Sequence, residues 1–140
     1  MSNQCFLAFD YGERRTGVAI GQSLTQSAQP LHTIESTKND IDWQKIEALI
    51  DEWKPDQIIV GIPDASDQNK ALRNKIKKFC DQLTTRFNLP VHTHDETLSS
   101  DEAYLHLKSR PQLSRGKIDK KDIDRIAAAI MLESWMRSNL

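Results

Sequence analysis

The sequence predicts an α/β domain: a mixed five-stranded sheet in the element order βββαβαβαα, with helices on both faces. Three observations carry that expectation. Residues 5–9 (CFLAF) form an unbroken apolar run, the pattern of a strand covered on both sides. A polar turn then sends the chain back, so the sheet starts antiparallel. Two later short strands each follow an amphipathic helical stretch, as parallel crossovers require.

The first strand ends on Asp10. Tyr11, Gly12, Glu13 and Arg14 carry the turn, in which Gly12 is expected to take a positive φ, and residues 16–20 return as a strand rich in β-branched side chains. Asp10 has two readings at this point. It caps the turn through an Asx hydrogen bond, or it is a carboxylate placed at the end of a buried strand to hold a cation. Residues 22–30 read as polar and turn-like, and 31–35 as a short third strand. Asn39 or Asp40 then caps a helix whose Ile46, Leu49, Ile50 and Trp53 recur at i, i+3, i+4 and i+7, and Pro55 stops it.

Residues 57–61 (QIIVG) form a strand parallel to the first. Leu72, Ile76, Phe79, Cys80, Leu83 and Phe87 mark a second helix, after which Pro90 and Val91 open a last strand that runs into His94, Asp95 and Glu96. Ser99 and Glu102 make a capping box for a further helix, with Ala103 and Leu107 facing inward. From 108 to 121 (KSRPQLSRGKIDKK) the pattern dissolves into a loop with six basic residues against Asp119. Ile123, Ile126, Ala127, Ile130, Met131 and Ser134 define the last helix, with Asp124 in its first turn, where it also complements the helix dipole.

A chain of 140 residues fits one domain, 1–140, with one core. The 38% apolar and 28% charged content argues against long disorder, and no apolar run reaches the length of a membrane span. No secretory signal is expected at the N-terminus, and Cys5 and Cys80 read as reduced core residues of a cytoplasmic protein. A net charge of −1 excludes a globally basic nucleic-acid binder while leaving room for a local basic patch.

In α/β sheets ligands gather at the carboxyl ends of the parallel strands, where Asp10 and Glu96 both fall. With Asp124 they supply hard oxygen ligands of the kind that hold Mg²⁺ for phosphodiester hydrolysis, and two ions roughly 4 Å apart stabilise the attacking and leaving oxygens together. Crowded carboxylates repel, so such a site is costly without a cation. His92, His94 and Glu96 share one face of a regular strand and resemble a zinc site, although lone strand histidines are more often structural. Arg110, Arg115, Lys117, Lys120 and Lys121 in the basic loop, with Arg14 and Arg15 beside Asp10, are candidates to grip a phosphate backbone. Lys70, Arg73, Lys75, Lys77 and Lys78 read as a solvated helix face, and Trp43, Trp53 and Trp135 as packing residues rather than base-stacking platforms.

Four ordered segments, DYGERRTGVAIG at 10–21, IIVGIP at 58–63, HDETLSS at 94–100 and DRIAAAIMLES at 124–134, together resemble the YqgF/RuvX family over nearly the whole chain. The resemblance implies an RNase H-like fold related to the Holliday junction resolvase RuvC. It also implies a Mg²⁺- or Mn²⁺-dependent endonuclease that matures the 5′ end of pre-16S ribosomal RNA by a two-metal mechanism, leaving 5′-phosphate and 3′-hydroxyl ends. Asp10, Glu96 and Asp124 would be its catalytic and metal-binding triad, with Asp10 shared by both ions. Asp119 and Asp122 compete for the third place; Asp124 is chosen because the alanine run follows it at the family's spacing, with Asp122 next.

Structured RNA and ribosomal particles are the implied partners, with branched DNA as the alternative substrate and a non-catalytic ribosome-assembly factor as the alternative role. A phosphotransferase of the actin-like kind needs two such domains, and 140 residues supply one. The chain departs from the family twice. Thr97 stands where arginine is usual, and DASDQNK after Pro63 lacks a common glycine.

Overall fold

The computed structural model describes residues 3–38, 40–95 and 120–140. In chain order the elements are β1 (Cys5–Asp10), β2 (Arg15–Gln22), β3 (Ser27–Glu35), α1 (Trp43–Trp53), β4 (Gln57–Ile62), α2 (Lys70–Phe87), β5 (Val91–Asp95) and α3 (Lys120–Asn139). The sheet order is β3-β2-β1-β4-β5, antiparallel from β3 to β1 and parallel from β1 through β4 to β5.

Alternation along β1 divides the core in two. Leu7 and Phe9 face α1 and α2, joining Val18, Ile34, Ile58, Val60, Ile46, Ile76 and Leu83. Phe6 and Ala8 face the other way, onto Ala128, Ala129, Met131, Leu132 and Trp135 of α3. Phe6, Leu7, Ala8 and Phe9 are all fully buried, so β1 is the strand that both layers clamp. Its last residue, Asp10, keeps the alternation and lies on the α3 side.

Several details differ from the sequence reading. β3 begins at Ser27 rather than 31 and contains Pro30, with a register shift opposite Val18 and Ala19. An edge strand tolerates proline because one row of its amides pairs with nothing, and the shift absorbs the misfit. The cap of α1 is Asp42, whose side chain accepts from the Lys45 N–H; Asp40 instead accepts from the Ile41 N–H, and Asn39 lies outside the described residues. Trp53, at the end of α1, is exposed rather than packed.

α3 begins at Lys120, so Lys120 and Lys121 are helical rather than loop, and the first-turn acid is Asp122, not Asp124. The Thr33 hydroxyl donates to the Lys121 carbonyl at 2.6 Å and ties that helix start to β3. Residues 96–119, with the expected helix after Ser99 and most of the basic loop, lie outside the described residues.

Candidate active site

The carboxyl ends of β1, β4 and β5 share one edge of the sheet. Asp10 ends β1 there and pairs in register with Gly17 of β2. Gly17 is where α3 comes closest to the sheet. A Cβ built on it would sit 2.0 Å from the Asp124 carbonyl oxygen and 2.9 Å from the Arg125 amide nitrogen. Only a residue with no side chain lets that helix turn lie flat on β2, and this packing brings Asp124 to Asp10.

The consequence is electrostatic. Burial first, and the neighbouring Asp124 carboxylate second, push the Asp10 carboxyl up from its ordinary 3.8 to about 7. Asp124 is in turn held by Arg15, whose Nε donates to Asp124 Oδ2 at 2.8 Å with both side chains mostly shielded. Arg15, expected to grip phosphate, is thus already engaged with an acid of the site. Asp122 is bonded by Arg125 one turn along the helix, and both line a cavity of about 370 Å³ that opens toward Thr33 and Glu35 of β3. Two acids only two positions apart therefore serve opposite sides of α3.

Arg14 is exposed and its carbonyl accepts from the Ser36 N–H at 2.8 Å. Lys121 pairs with Glu35 at 2.8 Å on the surface and holds that carboxyl below its usual range. Glu96, one residue past β5, and Arg110, Arg115 and Lys117 lie outside the described residues, as does the side chain of Lys120. The zinc reading finds both histidines otherwise engaged: His92 Nε2 lies 2.8 Å from Gln57 Oε1, and His94 Nε2 lies 3.1 Å from Ser134 Oγ. Among the described residues no group of three His, Cys, Asp or Glu side chains converges on one point.

Gly12 does not take the left-handed φ expected of it. It is required because a Cβ there would lie 2.3 Å from the Arg15 carbonyl oxygen, inside the turn that leads to Arg15. After β4, Asp64 ties the loop to the start of the next helical turn. Its Oδ1 accepts from the Ser66 N–H and from Asn69 Nδ2, bonds that hold its carboxyl below the usual range. Arg73 donates to the Pro63 carbonyl and closes the same loop. Gly17 is the positioning residue that the sequence reading passed over; a glycine inside a β-branched strand is itself the signal of close backbone approach.

A mixed sheet in the order 3-2-1-4-5, covered by helices on both faces, is an RNase H-like domain matching RuvC. T. thermophilus RuvC, solved with a Holliday junction substrate, superposes with a TM-score of 0.59 at 14% identity, over 96% of this chain and 94% of that one. The fowlpox virus Holliday junction resolvase gives 0.56 at 20% identity, over 97% and 99%. At such identities the likeness is one of fold.

The particular family follows from sequence. The chain belongs to the RuvX family, described as Holliday junction resolvase, whose pattern matches residues 4–138. A Pseudomonas putida protein named "Putative pre-16S rRNA nuclease" is 42% identical over 134 residues, covering 95% of this chain and 94% of its own length. A Legionella pneumophila protein of the same name is 41% identical over 140 residues, covering 99% of each.

Proposed function

We propose that this chain is a divalent-cation-dependent endonuclease acting on structured RNA, with the 5′ region of pre-16S rRNA as substrate, and that Asp10, Glu96 and Asp124 are its catalytic acids and metal ligands. The observation that carries the reading is the pair Asp10 and Asp124. Two carboxylates meet at the carboxyl edge of the sheet, and among the described residues the charge that most acts on Asp10 is the like charge of Asp124. Such a pair suits Mg²⁺ or Mn²⁺, because a hard cation restores the ionised state that burial and repulsion oppose. Bound there, the ion supplies Lewis acidity for in-line displacement at phosphorus, giving 5′-phosphate and 3′-hydroxyl ends.

This chain's own residues do the positioning. Asp10 is fixed by the clamped strand β1, Arg15 orients the Asp124 carboxylate, and Gly17 sets how close α3 stands. Asp122 is the weaker candidate for the third acid because Arg125 holds it toward β3. In this reading exposed Arg14 meets a flanking phosphate, and Arg110, Arg115, Lys117, Lys120 and Lys121 are further candidates for substrate contact, with Lys121 first giving up its pair with Glu35. The names of the Pseudomonas and Legionella relatives support ribosomal RNA, bound free or within a ribosomal particle, as the partner. The fold shared with junction resolvases supports branched DNA as the competing substrate. The working place is the cytoplasm, and among the described residues no helix is long and apolar enough to cross a membrane.

The test is cleavage of labelled pre-16S RNA and of a four-way DNA junction in parallel, with Mg²⁺, Mn²⁺ or chelator, by wild type and Asp10→Asn. Metal-dependent cutting of the RNA, abolished by Asp10→Asn, is the expected result. Cutting of the junction alone replaces the substrate. Equal binding by both proteins with no cutting of either replaces the nuclease with an assembly factor.

A further inference from the structure

The nuclease reading uses one face of the sheet edge. The next residue along the chain opens onto the other. Asp10 lies on the α3 side, and Tyr11 packs with the α1 and α2 layer, its ring centroid 5.1 Å from that of Phe79. Beside Tyr11 is a cavity of about 380 Å³, a size typical of small-ligand sites. Tyr11 and Phe79 form its aromatic wall, Lys75 and Lys78 stand one turn apart on α2, and Glu13 and Asp40 bring acceptors to the rim.

From this we propose that the cavity is a nucleotide subsite: it takes one unstacked base of the RNA strand whose scissile phosphate lies at Asp10. This rests on the nuclease reading. The base stacks on the Tyr11 ring, Lys75 and Lys78 take the adjoining phosphate, and Glu13 and Asp40 accept from the amino edge of the base. A single strand passing over the sheet edge then touches Asp10 on one side and Tyr11 on the other, one residue apart. Several features fit that role. Phe79 is almost fully buried, and its other neighbours, Phe9 and Trp43, lie 5.5 and 5.6 Å away between centroids, so the wall behind Tyr11 is rigid. Lys78 is exposed with no ion-pair partner among the described residues. Lys75 pairs with Glu13 at 3.1 Å, and both are more than half exposed, so a phosphate exchanges for that carboxylate at little cost. Stacking against an aromatic side chain and phosphate contact with lysine together are how single-stranded RNA is held.

The experiment measures binding with no metal, so that cutting does not enter. A fluorescein-labelled hexaribonucleotide carrying 4-thiouridine is titrated in chelator against wild type, Tyr11→Phe, Tyr11→Ala and the double variant Lys75→Gln/Lys78→Gln, and the photo-adduct is mapped. Expected are a loss of about 5-fold or more for Tyr11→Ala and near wild-type binding for Tyr11→Phe. The lysine variant should show a salt dependence shallower by about 0.7 for each phosphate contact removed. The adduct should fall on Tyr11 or on α2. Should Tyr11→Ala fail to fold, the surface lysine variant decides alone. Wild-type affinity and salt slope in Tyr11→Ala and the lysine variant, or an adduct confined to other elements, overturns the subsite; so does failure of the wild type to bind the hexamer. Precursor cleavage by the wild type is read separately. A subsite that binds in a protein that cuts nothing sinks the nuclease reading instead.

Discussion

Gly17→Ala tests the geometry on which the site depends. The added methyl would stand 2.0 Å from the carbonyl oxygen of Asp124 and 2.3 Å from its carbonyl carbon, both backbone atoms with no rotamer to change. Side-chain Cβ atoms essentially never come within 3.0 Å of another heavy atom, so α3 must retreat from β2 by about 1 Å at this turn. Overpacking of this kind costs about 1–3 kcal/mol of stability. The larger effect is on chemistry, because the retreating turn carries Asp124. A displacement of about 1 Å in a catalytic group lowers turnover by on the order of 100-fold. Urea denaturation would measure the first effect, and single-turnover cleavage of pre-16S RNA at saturating Mg²⁺ the second. The variant is expected to remain folded and to lose far more rate than stability. Wild-type stability together with wild-type rate would refute the contact between α3 and β2 as described.

In chelator, the Asp10 carboxyl, shifted from 3.8 to about 7, keeps more protons folded than unfolded across that interval. Stability should therefore fall as pH rises through it, by about 4 kcal/mol. Thermal melts from pH 4 to pH 8 should show the decline in wild type and a flatter profile in Asp10→Asn; a profile identical in the two removes Asp10 as its source. Arg15→Gln breaks the 2.8 Å pair with Asp124 and should cost about 0.5–1 kcal/mol in urea denaturation, with Arg15→Lys recovering part of it. Asp124→Asn should reduce cleavage by on the order of 100-fold or more, whereas Asp122→Asn changes the rate only a few-fold. The reverse order would move the third acid to Asp122.

The fold was legible because its signals are local and strong. The apolar run is fully buried from Phe6 to Phe9, with Cys5 half-buried at its start, and each crossover strand follows an amphipathic helix. Boundaries were less legible where a polar side chain has two possible partners. Asn39 or Asp40 is the expected cap, yet Asp42 caps α1, and only the direction in which the chain enters the helix decides this. Residues 27–30 look turn-like because an edge position, where a proline is tolerated, cannot be read from the strand's own residues.

Within the site, Asp10 stands out by its place after an apolar run and Asp124 by the alanine run that follows it. Their proximity does not, since it depends on Gly17, a contact made through the absence of a side chain. Arg15 is the clearest instance of a residue with two legitimate readings. Beside Asp10 in sequence it resembles a phosphate ligand, and the helix packed across β2 turns it into a partner of Asp124.

Arg15 and Asp124 meet across 109 positions of chain, so the site unites nearly opposite parts of the sequence. Loop closure over that distance brings little reward until the sheet exists for α3 to dock on. Before α3 docks, the sheet face that carries Phe6, Ala8 and Ala19 is open and Asp10 lacks Asp124 beside it. On the proposed reading of Asp10 and Asp124, catalytic competence waits for α3 to dock.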